Sequence, residues 1–327
     1  MKILLLHTSD AAGPPEDPVL GQLTDALEHS GHEVQRLAVD ARVEPVVDAV
    51  RSAEPELVFN LAESFGGKSA LESNVAALLN LLDLRYTGSS PAGLLLAGDK
   101  SLTKQVLTFH GIRTPQFATV YRGAVDWAGD IAFPLIVKPP QEDASIGVTS
   151  QSVVHDVKQL LEQIDSLQSE FHQPVLVEEY VDGREYYVGI LGNAAPEALP
   201  IMELDFSGFP ADRPRIASWQ AKWGTDGAGA GAEYAGTTSI FPRDLDAGLG
   251  SRMQEVAVSA FQALRLRDYA RIDLRVDAAD DIHVIEVNPN CYLERSGEFA
   301  RAAAESGLDY DALIARIVEL AVARYAR

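Results

Sequence analysis

Two stretches of the sequence decide the fold that it predicts, ARIDLRVD at 270–277 and VIEVNPN at 284–290. Each alternates apolar and polar residues, which is typical of a β-strand with one buried face. An Ala-Ala-Asp-Asp segment lies between them and indicates a hairpin turn. If the hairpin is centred on the middle of that segment, Asp273 faces Glu286 on the partner strand.

The polar face of this hairpin predicts a metal site. In the same register Arg271 faces Asn288, so both pairs project from one face of the hairpin. Carboxylate and amide oxygens suit Mg²⁺, or Mn²⁺ in its place, so Asp273, Glu286 and Asn288 are the candidate ligands. Arg271 beside them could stabilise a phosphoryl group or a developing oxyanion. The opposite face is predicted to pack into the core, and it carries Ile272, Leu274, Ile285 and Val287. The alternative is a solvated amphipathic hairpin whose carboxylates are held by arginines.

Length, charge and cysteine content restrict the class of protein. A chain of 327 residues is long enough for two or three domains that share one site. The formal net charge of −21 argues against nucleic acid and anionic membranes as partners. Cys291 is the single cysteine, so an intrachain disulfide is excluded and a reducing compartment is expected. The sequence shows no signal peptide and no apolar run that could span a bilayer, which favours a cytoplasmic location.

The chain divides into three zones, at 1–97, 98–175 and 176–327. The first zone alternates strand and helix patterns, which predicts a Rossmann-like, doubly wound parallel sheet. The second reads as a small α+β unit. The third is β-rich at first, beginning with a strand at Val175–Tyr180, and contains the acidic hairpin before it ends in helices. The fold class is therefore α/β.

Seven short motifs in order resemble one family, the D-alanine–D-alanine ligases of the ATP-grasp superfamily. They are GDKSLTK (98–104), FPLIVKP (133–139), ASIGV (144–148), VLVEEYVDGRE (175–185), QAKW (220–223) and the two hairpin strands. The resemblance implies an ATP-grasp fold of three subdomains, with a small central lid subdomain and a C-terminal one that holds the metal. It also implies a homodimer that joins a small-molecule carboxylate to an amine, amino acids among them, through an acyl-phosphate, releasing ADP and phosphate.

The resemblance also implies roles for residues that match the motifs. Lys100, Lys138 and Lys222 would bind the ATP phosphates. Adenine would lie against the strand that holds Glu178, Glu179 and Val181, and Glu185 would accept hydrogen bonds from the ribose. Asp273, Glu286 and Asn288 would bind magnesium. The catalytic set would be Arg271, Lys222 and Ser145, with Ser145 in a loop that folds over the phosphates.

The sequence departs from the family where the amino acids would bind. HTSDAAGPPEDP at 7–18 lacks the family's Gly-Gly-x-Ser-x-Glu, so Glu16 is the substitute candidate. Glu63 stands where the family has histidine, and Tyr292 where it has a glycine. A different carboxylate, amine or both are therefore expected. The candidate substrate residues are Glu16, Glu63, Tyr292, Arg295 and Ser296, with Lys68 beside them.

Two other functions remain open from the sequence. AESFGGKS at 62–69 resembles a P-loop, with Lys68 in the lysine position and Ala62 in place of the first glycine. That substitution removes backbone freedom that a P-loop uses, so the P-loop NTPase is the weaker alternative. The other alternative is a non-catalytic ATP sensor with the same fold. The stretch Gly224–Gly236 is a candidate lid because its glycines permit a mobile loop.

Overall fold

The fold contains three β-sheets, each with its own helices. The computed structural model describes residues 1–8, 17–122, 124–128, 131–142, 145–209, 213–217 and 237–326. Within those residues no helix has both the length and the apolar character needed to cross a membrane.

The first unit is a parallel sheet with the strand order β2-β1-β3. Its strands are β1 (Lys2–Thr8), β2 (Glu33–Val39) and β3 (Leu57–Leu61), and its helices are α1 (Pro18–His29), α2 (Glu44–Ala53), α3 (Glu72–Leu81) and α4 (Pro91–Ala97). The apolar run 3–6 of β1 is buried, as expected for the central strand of a parallel sheet covered on both faces.

The central unit is an antiparallel sheet with the order β5-β4-β8-β6-β7. Its elements are β4 (Phe117–Tyr121), β5 (Ala124–Ala128), β6 (Leu135–Lys138), β7 (Val153–Val154), α6 (Val157–Phe171) and β8 (Val175–Glu179). Helix α6 packs its Leu167 onto this sheet, against Leu135, Val137 and Val177.

The structure corrects the zone boundaries at two places. The sequence assigned Val175–Tyr180 to the third zone, but β8 pairs with β4 and β6 of the central sheet, and Val177 is buried in the core of that sheet. Helix α5 (Lys100–Phe109) had been assigned to the second zone, but its Leu107 is buried in the core of the third sheet. Strand pairing and helix packing are long-range, so the local sequence pattern did not show them.

The third unit is an antiparallel sheet with the order β12-β11-β9-β13-β14, and β10 pairs with β9. Its elements are β9 (Gly183–Gly192), β10 (Glu197–Ala198), β11 (Met202–Asp205), β12 (Thr238–Ile240), α7 (Ala247–Ala263), β13 (Asp268–Asp277), β14 (Ile282–Pro289), α8 (Glu298–Glu305) and α9 (Tyr310–Tyr325). Helix α9 buries Ile314 and Ile317 in one core with Leu5 and Leu23, so the first and third units share a core.

The acidic hairpin has the predicted register for half of its length. Asp273 pairs with Glu286 and Arg271 pairs with Asn288, but the register then shifts so that Leu274 pairs with Val284. Because of this bulge, Val284 takes the core position that the sequence assigned to Ile285, which lines a cleft instead. A bulge that re-aims one side chain is common beside functional sites.

Candidate active site

A cleft lies between the central sheet and the third sheet. Its empty volume, including space open to solvent, is about 770 Å³. Apolar walls come from side chains such as Ile136, Ile146, Val181 and Ile285, and charged groups lie along the floor. The predicted residues that line it are Lys100, Lys138, Ser145, Glu178, Glu179, Val181, Glu185, Asp273 and Glu286.

Glu178 lies at the centre of a buried charge cluster. Its side chain is 3% exposed, and its two carboxylate oxygens contact different lysines, Lys138 Nζ at 2.5 Å and Lys104 Nζ at 2.7 Å. Burial alone would raise the pKa of the Glu178 carboxyl, but the two lysines together lower it below the usual value. The cluster therefore holds an ionised glutamate with two cations, one of which lies deeper than the cleft surface.

Lys104 is a member of this charge cluster that the sequence did not predict. It is fully buried, and its ammonium also donates to Thr114 Oγ1 at 2.7 Å, which in turn donates to the Val284 carbonyl at 2.9 Å. Burial lowers the pKa of Lys104 to about 8, although Glu178 opposes that shift. The signal was present in the sequence, since Lys104 follows Lys100 by one helical turn and so shares its face of α5.

The hairpin side chains of the predicted metal site neutralise one another and their neighbours. Arg271 donates to both oxygens of Asp273, from Nε at 2.7 Å and from Nη2 at 2.9 Å. Asn288 Nδ2 donates to Asp273 Oδ2 at 3.1 Å, and Lys100 Nζ lies 2.9 Å from Glu286 Oε1. Two carboxylates and an amide are hard oxygen donors on adjacent strands, and this set fits Mg²⁺ when substrate phosphates complete its ligands.

The structure also shows which side chains near the predicted metal site could act as ligands. Among the described residues, no group of three or more His, Cys, Asp and Glu side chains is placed to hold a metal by itself. Arg271 also lies over the Tyr187 ring, with its Cζ 4.7 Å from the ring centre. Burial acts to lower the pKa of the Arg271 guanidinium, but Asp273 raises this pKa well above its usual value, so Arg271 stays cationic beside the candidate metal ligands.

The other end of the cleft contains the residues predicted to contact adenine and ribose. Glu185 Oε1 accepts from the Tyr187 hydroxyl at 3.1 Å, and Glu185 Oε2 accepts from Arg275 Nη2 at 2.8 Å. Glu179 Oε1 accepts from the Ala132 backbone N–H at 3.0 Å. The Glu179 carboxylate is therefore already engaged by the central unit.

Ser145 lies in the loop that closes one side of the cleft. Its φ of 62° is in the left-handed region, and its Oγ donates to the Ala217 carbonyl at 2.7 Å. This bond joins the loop of the central unit to a wall of the third unit. Glu16, Lys222 and the candidate lid Gly224–Gly236 lie outside the described residues.

The remaining substrate candidates do not line the cleft. Tyr292 donates from its hydroxyl to Asp17 Oδ1 at 2.7 Å, at the start of helix α1. Ser296 is held within its own loop, because its backbone N–H donates to Glu294 Oε2 at 2.9 Å and its hydroxyl donates to the same oxygen. Glu63 is exposed after β3, with its backbone N–H donating to Thr8 Oγ1 at 2.9 Å.

Arg295 does not line the cleft either. Its guanidinium carbon lies 4.6 Å from the centre of the Tyr310 ring, and its Nη2 is 3.9 Å from Asp311 Oδ1. Both partners belong to the first turn of α9. The structure thus places Arg295 on the surface between the hairpin and that helix.

The P-loop-like stretch forms a tight turn. Phe65 and Lys68 exchange two backbone hydrogen bonds of 3.2 Å, and Gly66 and Gly67 between them have positive φ. The backbone N–H groups of Phe65 and Lys68 are therefore used within the turn. A P-loop needs such groups to point at phosphate, so this geometry argues against the NTPase alternative.

Comparisons with known proteins identify the class first. The chain aligns with the crystal structure of D-alanine–D-alanine ligase from Bacillus anthracis complexed with ATP at a TM-score of 0.72 and 21% identity, over 98% of this chain and 97% of that one. A second crystal structure of the same ligase gives a TM-score of 0.73. The fold is thus the ATP-grasp fold.

Sequence comparisons then identify the family. The family model for the D-ala D-ala ligase C-terminus matches residues 106–319. The D-alanine–D-alanine ligase of Aquifex aeolicus is 31% identical over 90% of this chain and 91% of its own length. An uncharacterized protein of Sinorhizobium fredii is 32% identical over 95% of this chain and 91% of its own length. The chain belongs to the D-alanine–D-alanine ligase family, as its motifs predicted.

Proposed function

We propose that the protein is an ATP-dependent carboxylate–amine ligase that forms an amide or dipeptide through an acyl-phosphate. The observation that carries this proposal is the cleft, where Lys100, Lys138 and Glu178 meet Asp273 and Glu286 of the hairpin. Phosphate-binding cations and hard oxygen ligands in one cleft suit phosphoryl transfer from ATP. Family membership supports the same reaction class.

The proposed chemistry activates a poor electrophile. Transfer of the γ-phosphoryl group to the carboxylate gives an acyl-phosphate and ADP. The amine then attacks the acyl carbon, phosphate leaves, and the amine loses a proton to complete the amide. Each turnover therefore consumes one ATP and releases ADP and phosphate.

The residues of the cleft would position that reaction rather than supply a nucleophile. Lys100 and Lys138 would bind the phosphates, and Arg271 would stabilise negative charge at the acyl carbon. Asp273, Glu286 and Asn288 would hold magnesium, which supplies charge neutralisation on the transferring phosphoryl group. The Ser145 loop would help to exclude water, which otherwise hydrolyses an acyl-phosphate.

The substrates are proposed to be small molecules other than a pair of D-alanines, amino acids among them. Support comes from Tyr292, which stands where the family has a glycine. Its side chain is larger than that of glycine and its hydroxyl donates to Asp17, so the shape at this position differs from that in the family. A homodimer in the cytoplasm completes the proposal, with the predicted domains near 1–97, 98–175 and 176–327 and with β8 added to the central one.

The first test measures phosphate release from Mg-ATP in the presence of pooled amino acids and small carboxylates. Release that depends on one pool, with a product lighter by one water than its two substrates in mass spectrometry, would support the ligase. The sensor alternative would instead be supported if the protein binds nucleotide but releases no phosphate with any pool, and if Glu286→Ala binds nucleotide as tightly as the unmodified protein does.

A further inference from the structure

Arg275 lies on the same face of β13 as Asp273, and it is a buried cation that the proposed mechanism does not use. It pairs across the sheet with Glu185 of β9, lines the cleft and is only 4% exposed. Its Nε and Nη2 both donate to Glu185 Oε2, at 3.2 and 2.8 Å. A fully buried arginine is costly unless its donors are satisfied, so its other contacts decide what it does.

The guanidinium also holds two backbone carbonyls. Its Nη1 donates to the Val181 carbonyl at 2.9 Å, in the strand connection predicted to lie against adenine. Its Nη2 donates to the Arg215 carbonyl, which also accepts from the Tyr180 hydroxyl at 3.3 Å. One planar group thus fixes three separate segments, which a lysine ammonium could not do with the same geometry.

Aromatic rings hold the plane of the guanidinium. The Arg275 Cζ lies 5.4 Å from the centre of the Tyr180 ring and 5.9 Å from that of Phe206. Both distances allow a cation–π attraction. The side chain is therefore oriented by packing as well as by its acceptors.

The segment that Arg275 holds forms a wall of the cleft. Ile216 and Ala217 line the cleft directly after Arg215. The Ala217 carbonyl accepts from Ser145 Oγ, so the wall continues into the loop of the central unit. A displacement at Arg275 would therefore reach the ribose acceptor, the adenine strand and the closing loop together.

We propose that Arg275 is a positioning residue that holds the Glu185 carboxylate as a ribose acceptor and fixes the wall 213–217 against the nucleotide. This inference rests on the proposed function, because it takes Glu185 as the ribose contact. Arg275 donates two hydrogen bonds to Glu185 Oε2 and Tyr187 donates one to Oε1, so Oε1 keeps a lone pair for a ribose hydroxyl. Without the guanidinium, the carboxylate can rotate and its acceptor direction is lost.

The test is a comparison of nucleotide affinities. Dissociation constants for Mg-ATP, Mg-2′-deoxy-ATP and Mg-3′-deoxy-ATP are measured by equilibrium titration for the unmodified protein, Arg275→Met, Glu185→Gln and the double variant. The unmodified protein should prefer ATP to at least one deoxy analogue by about tenfold or more, the size of one hydrogen bond to a charged group. Arg275→Met and Glu185→Gln should each reduce that preference to about threefold or less, and the double variant should lose no more than either single variant.

Three outcomes separate the inference from the proposed function. If Arg275→Met weakens all three nucleotides equally while Glu185→Gln still removes the preference, Arg275 is only structural and the inference fails. If Glu185→Gln leaves the preference unchanged, the ribose assignment fails and the inference with it, although ATP binding and turnover can persist. If no nucleotide binds the unmodified protein, the proposed function itself is overturned.

Arg275→Lys keeps the test decisive if the methionine variant does not fold. A lysine retains the positive charge beside Glu185 but cannot span three acceptors at once. Its preference for ATP should fall below that of the unmodified protein. A preference equal to that of the unmodified protein would show that charge alone suffices and would overturn the positioning role.

Discussion

The cleft between the central and third sheets and the loop that follows the acidic hairpin use charged residues in opposite ways. In the cleft, Glu178 is 3% exposed and is held by lysines from two different elements, α5 and β6. In the loop, Arg295 has a side chain that is 56% exposed and rests on neighbouring groups of α9. A buried cluster loses much when one member changes, whereas an exposed pair loses little. The charge cluster of the cleft should therefore tolerate substitution less than the charged residues of the loop do.

The largest expected effect on stability tests the buried side of this comparison. Lys104→Met should lower the free energy of unfolding by about 3 kcal/mol, because the buried Glu178 carboxylate loses one of its two cations. Denaturant unfolding measures it, with Lys158→Met as the control, since Lys158 is exposed on α6 and should change stability by less than about 0.5 kcal/mol. Equal effects from the two variants would contradict the assignment of a buried charge cluster.

A second prediction concerns the hairpin. Glu286→Ala should reduce turnover by about 10²–10³-fold, the size typical for loss of one group that stabilises transition-state charge, and should leave the fold intact. Steady-state phosphate release and circular dichroism measure the two parts. Asp281→Ala removes an exposed carboxylate at the turn of the same hairpin and should remain active. A fully active Glu286→Ala variant would remove the hairpin from the site.

Lys138→Ala should give a third, smaller effect on ATP use, beside a loss of stability because Glu178 loses its other cation. The loss of one charge-assisted phosphate contact should raise the ATP concentration needed for half-maximal turnover by about tenfold. Lys158→Ala is the matched control for removal of a lysine. Unchanged ATP dependence would refute the phosphate assignment of Lys138.

The pH dependence of stability sharpens the comparison within the cleft. Burial lowers the pKa of Lys104 from 10.5 to about 8, so the folded protein releases this proton at lower pH than the unfolded chain does. Between those two values the unfolded state binds more protons, and stability therefore rises with pH. The difference in unfolding free energy between the unmodified protein and Lys104→Met should grow as pH increases from 8 to 10.5. A difference that shrinks over this range would mean that Glu178 outweighs burial.

The smallest effect is expected in the exposed loop. Arg295→Ala should change the free energy of unfolding by about 1 kcal/mol or less, because the Asp311 pair is exposed and only the stacking on Tyr310 is lost. ATP affinity should not change. Thermal unfolding with and without Mg-ATP tests both statements, and a loss of ATP affinity would show that the loop is coupled to the cleft.

The sequence predicted the features that depend on residues close together in the chain better than those that depend on distant residues. The register of Asp273 with Glu286 was correct because turn length and alternation are local properties. The bulge one residue further on was missed, since Val284 and Ile285 are both apolar and β-branched and alternation cannot choose between them. The pairing of β8 with the central sheet depends on residues far away in sequence.

The candidate site shows the same division. The family motifs assigned Lys100, Lys138 and Glu185 to one site, and in the structure all three line one cleft. Lys104 and Arg275 were not predicted, because a lysine on a helix or an arginine on a strand is expected to face solvent when no partner for it is known. Their partners, Glu178 and Glu185, become neighbours only when the sheets assemble. The sequence alone therefore did not show which charged residues are buried.

The core shared by the first and third units has a consequence for synthesis of the protein. Helix α9 supplies Ile314 and Ile317 to the same interior as Leu5 and Leu23, although the ribosome makes these segments at widely separated times. Part of the apolar face of the first sheet therefore stays uncovered until α9 has emerged from the exit tunnel of the ribosome. Contacts so distant in sequence slow folding, and an exposed apolar face is a binding site for chaperones.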